Sequence, residues 1–214
     1  MVLDGKTIAF LGDSITCGGC LQNVKSSYVN RISEKIRWKE VLCYGVPGSR
    51  IGEYIGDDPR KIGAAFTDRF YKMKEGIDIV VIFGGTNDFG IGNAPLSDGI
   101  DETPQTFCGA LNYVMEGLKK KYTESFILFM TPLHRMDENT VNKFSGAILK
   151  DYVDAIKDKA RYHGIHILDM YSLKRLQPGP IYYTKYILDD GVHPNEKGHA
   201  IIAEELLSYL KKVK

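Results

Sequence analysis

The chain is poor in cysteine: four in 214 residues, at positions 17, 20, 43 and 108, too few for the disulfide framework that staples small secreted domains. It has no charge surplus, with 28 Lys and Arg against 27 Asp and Glu, so no broad basic field exists to recruit nucleic acid or anionic lipid. No apolar run reaches the roughly twenty residues needed to span a bilayer. The start, Met1-Val2-Leu3-Asp4-Gly5-Lys6, has no cationic stretch leading into an apolar leader core. These absences predict a soluble, cytoplasmic protein that acts on a small molecule, with neither nucleic acid nor membrane as partner.

Familiar phosphate-binding and nucleophile signatures are missing too. Gly12 to Gly19 is rich in glycine, but Lys25-Ser26 has no glycine before the lysine, so there is no P-loop, and no GxGxxG occurs. The GxSxG elbow is also absent. Cys17-Gly18-Gly19-Cys20 has redox or metal spacing, yet no second ligand pair at short spacing accompanies it. The reading adopted is two small residues in a glycine-rich loop, with no metal and no cofactor. A metal protein built on Cys17, Cys20 and a histidine is the alternative.

What is present is enough apolar sequence, 43% of residues against 26% charged, to bury a substantial core, and one domain over residues 1–214 is expected. Apolar bursts alternate with amphipathic stretches at βα spacing. The bursts at Thr7–Leu11, Val41–Tyr44, Ile77–Phe83, Phe126–Met130 and Ile165–Leu168 predict strands covered by helices on both faces. Helices are predicted at Ser27–Arg37, Arg60–Lys74, Pro104–Tyr122, Asn142–His163 and Asn195–Lys211. The fold class is α/β: a three-layer α/β/α sandwich around a five-stranded parallel sheet. Ligands of such sheets bind outside the carboxyl ends of the strands, near a switch in strand order.

Polar residues that could do chemistry cluster at those ends. Gly12-Asp13-Ser14 follows the first strand, Gly48 in YGVPGSRIGE the second, Asn87 in GGTNDFG the third, and Thr131-Pro132-Leu133-His134 the fourth. Asp190-Gly191-Val192-His193-Pro194 precedes the last helix. Serine is a poor nucleophile until a base takes its proton, and the base needs a third group to hold its tautomer. Ser14, His193 and Asp190 supply one candidate for each role. Each also has a plainer reading: Ser14 and Asp13 as turn-stabilising groups, Asn87 as a turn residue, His193 as a helix-entry residue. Asp189 competes with Asp190, and the three-residue spacing to His193 selects Asp190. His163, His166 and His199 carry no such pattern.

These four blocks, in this order and across most of the chain, resemble the GDSL/SGNH hydrolase family. The resemblance implies a flavodoxin-like, doubly wound version of the expected fold and an ester-hydrolysing activity through an acyl-enzyme. It implies Ser14 as nucleophile, His193 as general base and acid, and Asp190 as the orienting carboxylate. The oxyanion hole would combine the backbone N–H groups of Ser14 and Gly48 with the Asn87 side chain. Gly45 competes for the second donor, and the family's pattern favours Gly48. The pocket-forming loops Gly52–Pro59, Gly90–Thr103 and Leu176–Thr184 carry Tyr54, Asp57, Asp58, Asp98, Asp101, Tyr182 and Tyr183. Such a lining suits a short-acyl or O-acetyl ester, possibly on a carbohydrate, with Asp13, His134 and Tyr182 as candidate substrate-binding residues. A lipase or thioesterase of the same family is the nearer alternative, and a non-catalytic α/β ligand-binding module the more distant one.

Overall fold

The computed structural model describes residues 1–56, 64–97 and 103–213. Five strands, β1 (Thr7–Gly12), β2 (Glu40–Gly45), β3 (Ile79–Phe83), β4 (Phe126–Met130) and β5 (His166–Leu168), form one sheet. Every pair is parallel and the order is β2-β1-β3-β4-β5. This is the flavodoxin-like order, and the chain reverses direction across the sheet between β1 and β3. The register is level at the carboxyl end: Gly12 sits opposite Gly45 on one side and Phe83 on the other, and Phe83 sits opposite Met130. Whatever follows β1 and β3 is therefore delivered to one crevice.

Side chains of the central strands alternate between two buried layers, as a pleat of period two requires. Ile8, Phe10, Ile79, Val81 and Leu128 point to one face and pack with α2 (Tyr28–Lys35) and α8 (Glu196–Lys212). Ala9, Leu11, Val80, Ile82 and Phe129 point to the other and pack with α5 (Phe107–Lys121) and α6 (Leu149–His163). Each fully buried large apolar side chain contributes roughly 1.5–3 kcal/mol relative to exposure. Ser27, Thr106 and Asn195 cap α2, α5 and α8, their side chains accepting from backbone N–H groups of the first turn.

Three of the five predicted helices fall where the periodicity places them, and two require correction. The helix expected from Asn142 begins only at Leu149. Asn142 instead folds its own segment into a turn, accepting from the N–H groups of Phe144 (2.8 Å) and Ser145 (3.1 Å) and donating to the carbonyl of Phe89 (2.7 Å). A side chain that satisfies the backbone locally competes with the helix. Of the helix expected over 60–74, residues 60–63 lie outside the described residues; the remainder holds one short helix, α3 (Phe66–Arg69), and a 3₁₀ turn. Three short helices that the periodicity does not reveal, α1 (Ser14–Cys17), α4 (Thr86–Ile91) and α7 (Pro180–Tyr186), are too brief to show a face. Among the described residues no helix is long and apolar enough to cross a membrane.

Candidate active site

Ser14 occupies the first position of α1, one residue after the Asp13 that caps it. The strand turns sharply into this helix because residue 12 is glycine: a Cβ there would lie 1.9 Å from Thr16 Oγ1. The turn carries the Ser14 hydroxyl to the mouth of the sheet. From the far end of the chain, His193 Nε2 comes within 2.8 Å of Ser14 Oγ, across 179 positions of sequence. His193 Nδ1 lies 2.6 Å from Asp190 Oδ2.

The loop bearing His193 is held from several sides. Ile187 and Pro194 form an antiparallel bridge across it, and the Leu188 N–H donates to the His193 carbonyl at 2.8 Å. Met136 N–H donates to Gly191 O from the loop after β4. Within the loop, Asp190 Oδ1 accepts from the N–H groups of Val192 (2.8 Å) and His193 (2.9 Å), so one carboxylate oxygen shapes the backbone and the other meets the ring. Partial burial alone would raise the Asp190 pKa. The two N–H donors and the imidazole overcome this and hold the carboxyl below its ordinary value. Of the two neighbouring aspartates, it is Asp190 that faces the imidazole.

Gly45 and Gly48 occupy different environments. Gly45 ends β2 in the ladder opposite Gly12, and a Cβ on it would come within 2.5 Å of Cys17 N. Gly48 is exposed, in a left-handed conformation (φ +71°) with open space around its α-carbon. Asn87, in the first turn of α4, donates through Nδ2 to the Ser49 carbonyl at 2.9 Å, which places its amide beside the Gly48 turn.

Two residues not singled out from the sequence hold this arrangement. Asp88 is fully buried and accepts from the N–H groups of Ile51 and Gly52, tying α4 to the loop after β2; burial raises its pKa to about 6 despite these donors. Arg69 donates to the carbonyls of Tyr44 (2.8 Å) and Gly12 (3.1 Å) and to Ser49 Oγ (2.6 Å), clamping the ends of β1 and β2 to the same loop. Asp88 is adjacent to Asn87 in sequence, which is the one signal that could have pointed to it. Nothing local marks Arg69.

The three candidate substrate-binding residues are turned inward. Asp13 is 1% exposed, accepts from Ile15 N–H, and has its pKa raised to about 7, chiefly by burial. His134 is buried and paired through Nδ1 with Glu138 Oε2 at 2.7 Å. Tyr182 is buried as well, its hydroxyl donating to the His134 carbonyl. All three are buried and bonded to neighbouring groups of the protein. Of the loop residues, Tyr54 lies under the Arg50 guanidinium, 4.9 Å from ring centre, and Tyr183 is half-buried. Asp57, Asp58, Asp98 and Asp101 lie outside the described residues.

His199 supports the nucleophile's helix from beneath. Its Nδ1 accepts from Tyr28 N–H (3.1 Å), and the Tyr28 hydroxyl meets Thr16 Oγ1 (2.9 Å) in α1. Burial lowers the His199 pKa to about 3, and the positive charge of Arg31 adds to the effect. An unfolded histidine titrates near 6.5, so the unfolded chain binds more protons between these values. The contribution of His199 is thus fully present above about pH 6.5 and is lost as pH falls toward 3. The urea midpoint of His199→Leu is expected to fall below wild type most at about pH 7.5 and much less at about pH 4.5; an equal deficit at both pH values would refute this.

A hydroxyl on an imidazole whose other nitrogen is held by a carboxylate can lose its proton as it attacks a carbonyl. Mounted at the switch point of a parallel sheet, that chain of hydrogen bonds marks a hydrolytic enzyme of the α/β class. The model of the GDSL-like Lipase/Acylhydrolase family matches residues 10–201, and the chain belongs to that family of ester-hydrolysing enzymes. A crystal structure of a Lactobacillus plantarum protein is similar over 99% of both chains, with a TM-score of 0.85 and 28% identity. A Bacteroides ovatus protein described as a GDSL-like lipase shares the fold over 98% of this chain and all of its own, with a TM-score of 0.70 and 21% identity. The lipase/acylhydrolase of Enterococcus faecalis does so over 96% and 95%, with a TM-score of 0.64 and 18% identity. No curated protein matches the chain.

Proposed function

We propose that this protein is a serine esterase acting on a small-molecule carboxylic ester with a short acyl group, an O-acetyl group included, through a Ser14–His193–Asp190 triad. The observation that carries the reading is the 2.8 Å approach of His193 Nε2 to Ser14 Oγ. Ser14 Oγ attacks the ester carbonyl as His193 takes its proton. Asp190 keeps the second ring proton on Nδ1 and balances the imidazolium. The oxyanion is met by the backbone N–H groups of Ser14 and Gly48 and by Asn87 Nδ2, whose second hydrogen is left over after the bond to Ser49 O. His193 then protonates the departing alcohol, and water, activated by the same base, releases the acid from the acyl-enzyme.

A fluorophosphonate reagent tests this without knowledge of the substrate. One equivalent is expected to attach to Ser14; a protein that stays unlabelled while folded would instead be a ligand-binding module. Asn87→Ala is expected to lower kcat on the order of 10²–10³-fold, the scale for one oxyanion donor. A change confined to KM would remove Asn87 from the oxyanion hole.

The short-acyl preference is supported by the cavity that adjoins Gly48, which holds about 170 Å³ between Pro47, Arg50, Ala65 and Ile91. A lipase reading draws on a larger cavity of about 400 Å³ nearby, whose rim exposes Ile91, Val141 and Phe144. A nitrophenyl ester series run beside acetylated sugars separates the two. Acetyl and butyryl esters are expected to be turned over best; rates that climb with chain length would establish the lipase instead.

A further inference from the structure

The sequence pairs Cys17 with Cys20, and the structure separates them. Cys17 Sγ faces inward and donates to the Ser14 carbonyl at 3.4 Å. Cys20 is exposed, and its Sγ, a carboxylate oxygen of Asp190 and a ring nitrogen of His193 all lie within 4.8 Å of one another. Among the described residues this is the one group of three such donors that could close on an ion. The ligands that are missing near CxxC in sequence are thus supplied from the opposite end of the chain.

Thiolate, imidazole and carboxylate are the donors that zinc and cadmium take, with bonds of about 2.0–2.3 Å that hold ligand atoms less than about 4.6 Å apart. Small side-chain rotations bring the three atoms into that range, provided Asp190 and His193, now 2.6 Å apart, open to admit the ion between them. Magnesium and calcium seek sets of oxygen ligands and find a single carboxylate here.

We propose that Cys20, Asp190 and His193 form an inhibitory site for a thiophilic divalent cation such as zinc. The proposal rests on the reading of His193 as the general base. On binding, the Cys20 thiol releases its proton to solvent and its sulfur bonds the ion, the His193 ring proton moves through solvent from Nδ1 to Nε2 so that the Nδ1 lone pair bonds the ion, one Asp190 oxygen completes the contacts, and the ion sheds a water for each donor gained. Nε2 then carries the ring proton and has no lone pair to take that of Ser14, and Asp190 no longer holds the ring for attack. Cys20 itself has no part in ester chemistry.

The test compares wild type with Cys20→Ser in two readouts. In ester hydrolysis, zinc is expected to inhibit wild type while magnesium at the same concentration does not. Cys20→Ser should match wild type without metal and require more zinc by at least the roughly 10–100-fold that even an outer-shell partner is worth. In the second readout, cadmium added to the protein is followed by its thiolate charge-transfer absorption, which needs no turnover. The band is expected to diminish in Cys20→Ser and also in His193→Ala. Equal zinc sensitivity of wild type and Cys20→Ser, or a cadmium band unchanged in either variant, would overturn the site. A chain that binds cadmium through Cys20 and His193 but neither hydrolyses esters nor takes up fluorophosphonate would leave the metal site standing and remove the esterase reading.

Discussion

Ser14→Ala is expected to lower kcat by on the order of 10⁴–10⁶, the range seen when a nucleophile that works as a unit with its base is removed. The size follows from the geometry. The hydroxyl is the group in contact with His193 Nε2, and without it the imidazole has no nucleophile to deprotonate except water. The fold should not register the change, because the Ser14 backbone is held by α1 and by the Asp13 cap, neither of which uses the hydroxyl. The expected result is an unchanged thermal midpoint with hydrolysis reduced to background and fluorophosphonate labelling lost. Wild-type hydrolysis by the variant, after removal of contaminating esterases, would dismiss Ser14 as nucleophile.

Asp190→Asn is expected to reduce kcat by roughly 10⁴ near neutral pH, although it changes one atom. The introduced amide can still accept from the Val192 and His193 N–H groups through its oxygen, so the loop keeps its shape. Its nitrogen then faces His193 Nδ1 and donates where the carboxylate accepted. That arrangement favours the tautomer with its proton on Nε2, which cannot take the proton of Ser14. Asp189→Asn, at the exposed neighbour, is expected to stay within about twofold of wild type, as ordinary surface changes do. If the two variants lost activity equally, the loop as a whole and not the Asp190 carboxylate would be responsible.

The strands and long helices were legible because their signals are local. Val80-Val81-Ile82 shows a strand buried on both faces by its continuous apolar content, and Ile201-Ile202 a helix face by its period, signals that survive small errors of boundary. Boundaries set by a side chain were not legible: Asn142 diverts its segment into a turn and delays α6 to Leu149, a choice that depends on the carbonyl of Phe89 lying within reach. The candidate site shows the same division. Ser14 and His193 stand out as residue types in marked contexts. Asp13, His134 and Tyr182 share those contexts, and only packing shows that they are buried and bonded within the protein.

By itself the sequence determined an alternating α/β chain with a parallel sheet, and it brought polar groups to the carboxyl ends of the first four strands, since periodicity and turn chemistry are written into neighbouring residues. The tertiary structure decided which groups meet. The level register of β1, β2 and β3 and the bridge between Ile187 and Pro194 place His193 on Ser14, present Asp190 and not Asp189 to the imidazole, leave Gly48 open where Gly45 is packed, and set the Cys20 thiol beside the same histidine. Distances between residues far apart in the chain are properties of packing and register, and no stretch of sequence carries them alone.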